Sequence, residues 1–206
     1  MHKKNLIMAG SPLEDAERVM IMIHGRSAAA DDIISLADYL KVDRYALIAP
    51  QATNNSWYPN SFLVPSENNE PWLSSAIELL GDIIRDLNNK SISSEKIYML
   101  GFSQGACLAL EFSARNATRY GGIIAFTGGL IGEKINYEYY NGDFNQTPIF
   151  IGTSDPDIHV PIDRVNMTSK ILQKMNANVI LKVYKNMGHT INLDELNTVN
   201  ELILSK

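Results

Sequence analysis

Short apolar runs alternate with longer segments of helical periodicity along this chain. The clearest runs are continuous, as expected for strands buried on both faces of a sheet, and lie at 19–23, 45–49, 97–100, 123–126 and 149–151. A weaker run occurs at 6–9, and β-branched residues are concentrated at 179–184. Each of these segments is predicted to be a strand.

Helices are predicted between these strands. The clearest follows Pro71, where apolar residues recur at i, i+3, i+4 and i+7 as far as Leu87. Similar spacing predicts further helices at 33–40, 106–114, 165–175 and 193–204. Strands that alternate with helices favour an α/β fold, in which a mostly parallel twisted sheet is flanked by helices on both faces.

Two long connections interrupt this alternation. Residues 51–70 are rich in Asn, Ser and Pro, which predicts an irregular loop, and residues 128–147 form the second connection. The second is only about 20 residues long, too short for an inserted domain, so we expect no large cap. The chain has 206 residues and no internal repeat or linker, and residues 1–206 are therefore expected to form a single domain.

Charge and cysteine content narrow the expected partners and location. The net charge is −5 and no long basic run occurs, so nucleic acid is not an expected partner. No apolar stretch reaches the roughly 18 residues that a membrane-spanning helix needs, and the first apolar run is too short for a signal peptide, so no integral membrane association is expected. Cys107 is the only cysteine. An intrachain disulfide is therefore excluded, and we predict a cytoplasmic protein whose oligomeric state the sequence leaves open.

The pentapeptide Gly101–Gly105, Gly-Phe-Ser-Gln-Gly, stands between a predicted strand and a predicted helix. Glycines two residues before and after a serine allow the sharp turn that exposes the serine oxygen above the carboxyl edge of a sheet. Ser103 is therefore predicted to be a catalytic nucleophile, which needs a base to take its proton at neutral pH. The alternative is an ordinary strand-to-helix turn whose glycines only allow close packing.

The position of the general base can be tested in the sequence. In hydrolases with such a turn, an acid and then a histidine follow the serine, each in a loop after a later strand. The histidines after Ser103 are His159 and His189. His189 comes just after the β-branched run and before the last helix, so it is predicted to be the base. His159 is expected to have a structural role or to border the substrate.

An acidic residue must accept a hydrogen bond from the far nitrogen of that histidine. Asp155 and Asp157 both follow the strand at 149–151. Asp157 is favoured because a helix start follows it at the next turn, and Asp155 is the main competitor. Together with His159 these aspartates could suggest a metal site, but such sites usually need three or four ligands in a preset geometry. No metal is expected.

The negative oxygen of a tetrahedral intermediate needs fixed hydrogen-bond donors. We predict that they are the main-chain N–H of Gln104, directly after the serine, and that of Arg26, in the loop after the strand at 19–23. His24 in the same loop is expected to be structural. Trp57 and Tyr58 lie in the long polar loop, where they are predicted to bind substrate, with packing in the core as an equal alternative.

Cofactor motifs do not occur in the sequence. There is neither a phosphate-binding loop of the form Gly-x-x-x-x-Gly-Lys nor a dinucleotide fingerprint of the form Gly-x-Gly-x-x-Gly, so no cofactor is expected. Cys107, four residues after Ser103, is expected to be a small buried hydrophobic residue without a chemical role.

These motifs resemble those of the phospholipase/carboxylesterase family of α/β-hydrolases, whose relatives include acyl-protein thioesterases and small bacterial esterases. The resemblance spans most of the chain and rests on His24-Gly25-Arg26, Ala49-Pro50-Gln51-Ala52, Trp57-Tyr58-Pro59, Gly101-Phe102-Ser103-Gln104-Gly105, Asp157-Ile158-His159-Val160-Pro161 and Met187-Gly188-His189-Thr190. It implies an α/β-hydrolase fold without a large cap and a triad of Ser103, Asp157 and His189. It also implies hydrolysis of carboxylic esters or thioesters without metal or cofactor.

The chain departs from the family pattern at two places. Ser27 stands where relatives often carry a second glycine in the loop after the early strand, and Asp155-Pro156 precedes the usual position of the acid. The first departure is expected to stiffen the loop that carries an oxyanion donor or to alter the pocket entrance. The second is the reason that Asp155 competes with Asp157.

Three functional hypotheses follow. The leading one is a serine hydrolase that cleaves small-molecule esters of small to medium acyl groups through an acyl-enzyme on Ser103. The second is a thioesterase or lysophospholipase for long acyl chains, which would need an apolar channel. The third is a binding protein that retains the fold without the chemistry.

Overall fold

A twisted seven-stranded sheet runs through the centre of the structure, a computed structural model that describes residues 1–205. The strands are β1 Leu6–Gly10, β2 Arg18–Ile23, β3 Tyr45–Pro50, β4 Ile97–Phe102, β5 Gly122–Phe126, β6 Pro148–Asp155 and β7 Asn178–Lys185. Their spatial order is β1-β3-β2-β4-β5-β6-β7. Strand β1 is antiparallel to β3, and all other neighbours are parallel. The predicted α/β fold with a mostly parallel sheet is confirmed.

Within the same residues, five α-helices pack on the two faces of the sheet. They are α1 Ala30–Ile34, α2 Trp72–Asn89, α3 Gln104–Arg115, α4 Ile162–Lys174 and α5 Leu193–Leu202. Helices α2, α3 and α4 share one apolar core, and α1 and α5 share a second core on the opposite face. Along β2, Ile21 and Ile23 face the first core, whereas Met20 and Met22 face the second. Because both faces are buried, the strand carries a continuous apolar run.

The helix predicted at 33–40 is shorter than expected. Helix α1 ends at Ile34, and a 3₁₀ helix at Ser35–Tyr39 follows it. The hydroxyl of Ser35 donates a hydrogen bond to the carbonyl of Asp32 (2.7 Å). Local side-chain bonds of this kind compete with a continued α-helix, which accounts for the early end of α1.

Strand β6 is longer than the apolar run in its sequence. The run covers 149–151, but the strand continues to Asp155. Residues 152–155 pair in register with Lys182–Lys185 of β7. Backbone pairing does not require apolar side chains, so β6 carries the chain to the edge of the sheet at which the predicted acid loop begins.

The connection between β5 and β6 packs against helices rather than forming a cap. The carboxylate of Glu111, fully buried on α3, accepts hydrogen bonds from Ile131 N–H and Tyr140 O–H (both 2.9 Å) and pairs with Arg115 (2.7 Å). The guanidinium of Arg164 on α4 donates to three carbonyls of the same connection, at 2.8, 2.6 and 3.0 Å. These buried polar contacts hold the connection on the surface of α3 and α4.

Candidate active site

Ser103 lies at the sharp turn between β4 and α3. Its backbone has φ 54° and ψ −116°, a conformation that residues other than glycine rarely adopt and that persists only where the surroundings impose it. A Cβ on Gly101 would lie 2.4 Å from the backbone of Gly105, and a Cβ on Gly105 would lie 2.1 Å from the carbonyl oxygen of Ile23. Both positions require glycine, because the backbones of β2, β4 and the first turn of α3 approach one another here.

The imidazole of His189 lies directly beside this serine. Its Nε2 is 2.8 Å from Ser103 Oγ. His189 stands in the loop after β7, where Gly188 has a φ of 82°. The N–H of Gly188 donates to the hydroxyl of Ser154 on β6 (3.0 Å), so the end of β6 holds the loop that carries the histidine.

Asp157 contacts the other nitrogen of the same ring. His189 Nδ1 is 2.8 Å from Asp157 Oδ2, and Asp157 Oδ1 accepts hydrogen bonds from the N–H groups of His159 (2.7 Å) and Val160 (2.9 Å). Burial raises the pKa of Asp157, but these backbone hydrogen bonds and the one from His189 outweigh burial, so the pKa lies below its ordinary value. The carboxylate is therefore ionised at neutral pH.

Asp155 does not reach the histidine. It is the last residue of β6, where it pairs with Lys185, and its main-chain carbonyl accepts a hydrogen bond from Asn186 N–H (3.0 Å). Its side chain is exposed. Of the two aspartates considered from the sequence, the structure brings Asp157 to His189.

These hydrogen bonds assign the protons of the three residues. An ionised carboxylate can only accept hydrogen bonds, so His189 Nδ1–H donates to Asp157 and leaves Nε2 as the acceptor for the Ser103 hydroxyl. An imidazole in this tautomer can take the serine proton during nucleophilic attack, and the carboxylate stabilises the imidazolium that results.

His159 lies next to the three residues without joining their hydrogen bonds through its side chain. Its ring centroid is 4.9 Å from that of His189, and the two rings are nearly perpendicular at 78°. The side chain is exposed and lines the cavity in front of Ser103. This position at the cavity edge is one of the two that the sequence suggested for His159.

The segments that carry the two predicted oxyanion donors flank Ser103. Gln104 is the first residue of α3, so its N–H has no acceptor within the helix. The loop after β2 packs against the serine, since a Cβ on Gly25 would lie 3.6 Å from Ser103 Cβ. Arg26 is the next residue in this loop. The part of Gln104 and Arg26 in binding an oxyanion stays a prediction.

The same loop contains Ser27, which adopts a φ of 64°. This left-handed region favours glycine. The N–H of Ser27 donates to the carbonyl of Asn55 (2.7 Å). That hydrogen bond ties the loop after β2 to the long polar loop and compensates for the strained backbone of the serine.

His24 holds the start of the loop after β2 from within the core. Its Nδ1–H donates to the carbonyl of Gly25 (2.7 Å), and its Nε2 accepts the N–H of Ala52 (3.1 Å). Burial lowers the pKa of His24, which favours the neutral ring that these two bonds require. The contacts fit the structural role expected from the sequence.

Trp57 and Tyr58 occupy different positions relative to the cavity. Trp57 is fully buried, and its indole N–H donates to the carbonyl of His24 (2.8 Å). It is not among the residues that line the cavity, whereas Tyr58 does line it. Trp57 thus packs in the core, which was the alternative considered from the sequence, and the direct substrate contact predicted for this pair is open only to Tyr58.

The side chain of Gln104 links the nucleophile turn to this aromatic pair. Its Oε1 accepts the N–H of Trp57 (2.9 Å), and its Nε2 donates to the carbonyl of Tyr58 (2.8 Å). The sequence had indicated a role only for the main chain of this residue. The signal for a side-chain role was a carboxamide on the buried side of a helix's first turn, because buried amides need hydrogen-bond partners.

A cavity of about 620 Å³ opens in front of Ser103. Its wall includes Phe62 and Val160, which are almost completely buried, and the exposed side chain of Arg26. Neither Phe62 nor Val160 was predicted to belong to the site. Both are apolar residues next to turns, and that pattern does not distinguish a cavity wall from the core.

The thiol of Cys107 lines the same cavity. Burial raises the pKa of the Cys107 thiol to about 12, so the thiol is not ionised at neutral pH. No cluster of three or more His, Cys, Asp or Glu side chains in the described chain could hold a metal ion. No helix among residues 1–205 has the length and apolar character needed to cross a bilayer.

Comparison with known proteins identifies close structural relatives. Residues 7–205 match the phospholipase/carboxylesterase family. A phospholipase/carboxylesterase from Dyadobacter fermentans is 51% identical, with a TM-score of 0.98 over 99% of this chain and 98% of that one. The carboxylesterase of Bacillus cereus, at 15% identity, has a TM-score of 0.77 over 95% of this chain and 91% of that one, and it shares the fold. The expected α/β-hydrolase fold is confirmed.

Curated relatives are more distant in sequence. Acyl-protein thioesterase 1 of Kluyveromyces lactis is 25% identical over 93% of both chains. Acyl-protein thioesterase 1 of Saccharomyces cerevisiae is 32% identical over 71% of this chain, and the match spans 64% of the yeast protein.

Proposed function

Because the chain belongs to the phospholipase/carboxylesterase family, we propose that it is a serine carboxylesterase that hydrolyses small-molecule esters of small to medium acyl groups. The observation that carries this proposal is the unbroken hydrogen-bonded series from Ser103 through His189 to Asp157, with 2.8 Å at each of its two contacts. Nucleophile, base and acid thus have the order and geometry that acyl transfer requires.

Catalysis begins with attack of Ser103 Oγ on the ester carbonyl carbon while His189 Nε2 takes the hydroxyl proton. The carbonyl electron pair moves onto its oxygen, where the N–H groups of Gln104 and Arg26 stabilise the charge. The imidazolium, stabilised by Asp157, then protonates the departing alcohol oxygen as the ester bond breaks. Water, deprotonated by His189, attacks the resulting acyl-enzyme, and release of the carboxylic acid returns the proton to Ser103.

A fluorophosphonate probe tests this proposal directly. Folded protein is expected to be labelled at Ser103 alone, because only an activated serine attacks the phosphorus rapidly. Mass spectrometry of proteolytic peptides identifies the modified residue, and both heat-unfolded protein and Ser103→Ala serve as controls. Folded protein that takes up no label would favour the binding-protein hypothesis over any hydrolase.

A second candidate function is hydrolysis of long-chain thioesters or lysophospholipids. The observation in its favour is that the curated relatives are acyl-protein thioesterases, at 25% and 32% identity in the two cases above. Against it, the cavity of about 620 Å³ is of ordinary size for a small-molecule site, and the buried side chains of Tyr58 and Phe62 form part of its wall.

A series of p-nitrophenyl esters distinguishes the two functions. With acyl groups of two to sixteen carbons, kcat/KM is expected to be greatest at or below about six carbons. It is expected to fall by about tenfold or more at twelve carbons, because any part of a longer chain that extends beyond the cavity stays in water and contributes no binding energy. The rate of Ser103→Ala is subtracted at each length. A kcat/KM that rises through twelve and sixteen carbons would support the long-chain function instead.

A further inference from the structure

Among residues 1–205, no acidic side chain lines the wall of the cavity beside Ser103. This is notable in a protein whose net charge is −5 and which has 23 Asp and Glu residues. Arg26, His159 and His189 supply the ionisable nitrogen groups of the wall. The carboxylate of Asp157, the acid that touches His189, is fully shielded from solvent. Among residues 1–205, Arg26 is therefore the one permanently charged side chain in the wall of the cavity.

The guanidinium of Arg26 is the fixed positive charge of this wall. It donates hydrogen bonds to the hydroxyl of Ser56 (3.1 Å) and to the carbonyls of Pro59 (2.9 Å) and Asn60 (2.6 Å). All three acceptors are uncharged, and no carboxylate among residues 1–205 forms an ion pair with Arg26. Its positive charge is thus held in position without being neutralised by the protein.

The guanidinium also has hydrogen-bonding capacity to spare. An arginine has five N–H donors, and the three bonds above leave two of them for a ligand. Arginine binds carboxylates through two such donors more readily than lysine does, because its planar group matches the carboxylate geometry. A carboxylate in the cavity would supply the missing negative charge.

The order of the strands indicates which part of an ester meets Arg26. Arg26 follows β2, which lies on one side of β4 and Ser103, whereas Asp157 and His189 follow β6 and β7 on the other side. The leaving group must lie near His189, which gives it a proton. The acyl group therefore extends toward the side of the sheet that carries Arg26.

From this arrangement, and on the basis of the esterase function proposed above, we propose that Arg26 recognises a carboxylate at the end of the substrate's acyl group. The preferred substrates are then monoesters of short dicarboxylic acids rather than esters of fatty acids. Arg26 acts as a specificity-determining residue through its side chain, a role separate from that of its main-chain N–H.

Two esters with the same leaving group test this proposal. They are mono-p-nitrophenyl glutarate and p-nitrophenyl pentanoate, which have acyl chains of equal length and differ by the terminal carboxylate. The ratio of their kcat/KM values, after subtraction of the Ser103→Ala rate, is expected to exceed about threefold in favour of glutarate. It is expected to fall by about tenfold in Arg26→Gln, because the charge and both free donors are lost. Any general loss of activity in this variant cancels in the ratio.

Arg44→Gln is the matched control. Arg44 is an exposed residue that pairs with Glu17 (2.6 Å). It directly precedes β3, at the edge of the sheet opposite to the one that carries Arg26. Its replacement by glutamine changes the net charge by the same amount as Arg26→Gln. Its ratio is expected to stay within twofold of that of the wild type. For wild-type protein, raising the salt concentration from 20 to 500 mM is expected to lower the rate for glutarate more than that for pentanoate. This measurement covers the case in which Arg26→Gln does not fold.

The outcomes separate the two proposals. A wild type that hydrolyses neither ester would overturn the esterase function itself. Hydrolysis of pentanoate at an equal or greater rate than glutarate, or an equal loss for both esters in Arg26→Gln, would leave the esterase function intact and reduce Arg26 to a structural residue of the loop.

Discussion

Replacement of Ser103 by alanine is expected to lower kcat for p-nitrophenyl butyrate by about 10⁴-fold or more. The substitution removes the oxygen that forms the acyl-enzyme, and His189 loses the hydroxyl that lies 2.8 Å from its Nε2. The variant would retain only the oxyanion donors and the cavity, which can accelerate the direct attack of water on the ester. Steady-state kinetics with purified protein measures the effect.

Ser113→Ala is the matched control for this experiment. Ser113 is a buried serine on the same helix, and its hydroxyl donates to the carbonyl of Leu110 (3.1 Å). Its replacement is expected to change kcat less than about threefold, because such a local bond contributes roughly 1 kcal/mol to stability and none to chemistry. Circular dichroism of both variants verifies folding. A Ser103→Ala variant with wild-type kcat would exclude the acyl-enzyme mechanism.

The nucleophile and the base could be predicted because their sequence signals are local. Ser103 follows an apolar strand and is flanked by two glycines, and His189 follows a β-branched strand. The carboxyl ends of parallel strands lie at one edge of a sheet, so loop residues that follow such strands share that edge even when they are far apart in sequence. The prediction needed the strands and their direction, and both were readable from apolar runs.

The choice between Asp155 and Asp157 could not be made from local signals. It depends on where β6 ends, and the polar residues 153–155 belong to the strand because they pair with β7. That pairing commits the backbone of Asp155 to the sheet. Asp157, two residues later, lies where the loop turns and where the N–H groups of His159 and Val160 converge on its carboxylate.

The position of Trp57 depended on long-range contacts in the same way. An aromatic residue in a polar loop is compatible with both a pocket wall and the core. Here the main chain of Trp57 is bound by Gln104, and its indole N–H is bound by the carbonyl of His24. Both partners are distant in sequence. Together they hold the indole ring of Trp57 in the core, and Tyr58 lies on the cavity side.

The attachment of the connection between β5 and β6 to the rest of the protein also depends on a residue that is distant in sequence, the buried Glu111. Its sequence predicted a loop of about 20 residues, but nothing local indicated that the loop would be fixed. The carboxylate of Glu111, on the neighbouring helix α3, accepts hydrogen bonds from the N–H of Ile131 and the hydroxyl of Tyr140, which both belong to the connection. The absence of a cap follows from the length of the connection, whereas its firm attachment follows from a residue outside it.

Replacement of Asp157 by asparagine is expected to lower kcat by about 10³-fold or more, the second largest effect of any change considered. The amide carbonyl can still accept the N–H groups of His159 and Val160, so the loop is expected to keep its conformation. The amide NH₂ would face His189 Nδ1 and donate to it, which turns the imidazole into the tautomer whose Nε2 carries a proton. This ring cannot accept the proton of Ser103, and no carboxylate is present to stabilise an imidazolium.

Asp155→Asn serves as the control for Asp157→Asn, because it makes the same chemical change two residues away on an exposed side chain. Its kcat is expected to stay within about threefold of the wild-type value. Because the pKa of Asp157 is lowered, its carboxylate stays ionised at pH values below the ordinary pKa of an aspartate. The loss of kcat in Asp157→Asn is therefore expected at every pH at which the wild type is active. An equal loss of kcat in the two variants would mean that the geometry around His189 does not identify the catalytic acid.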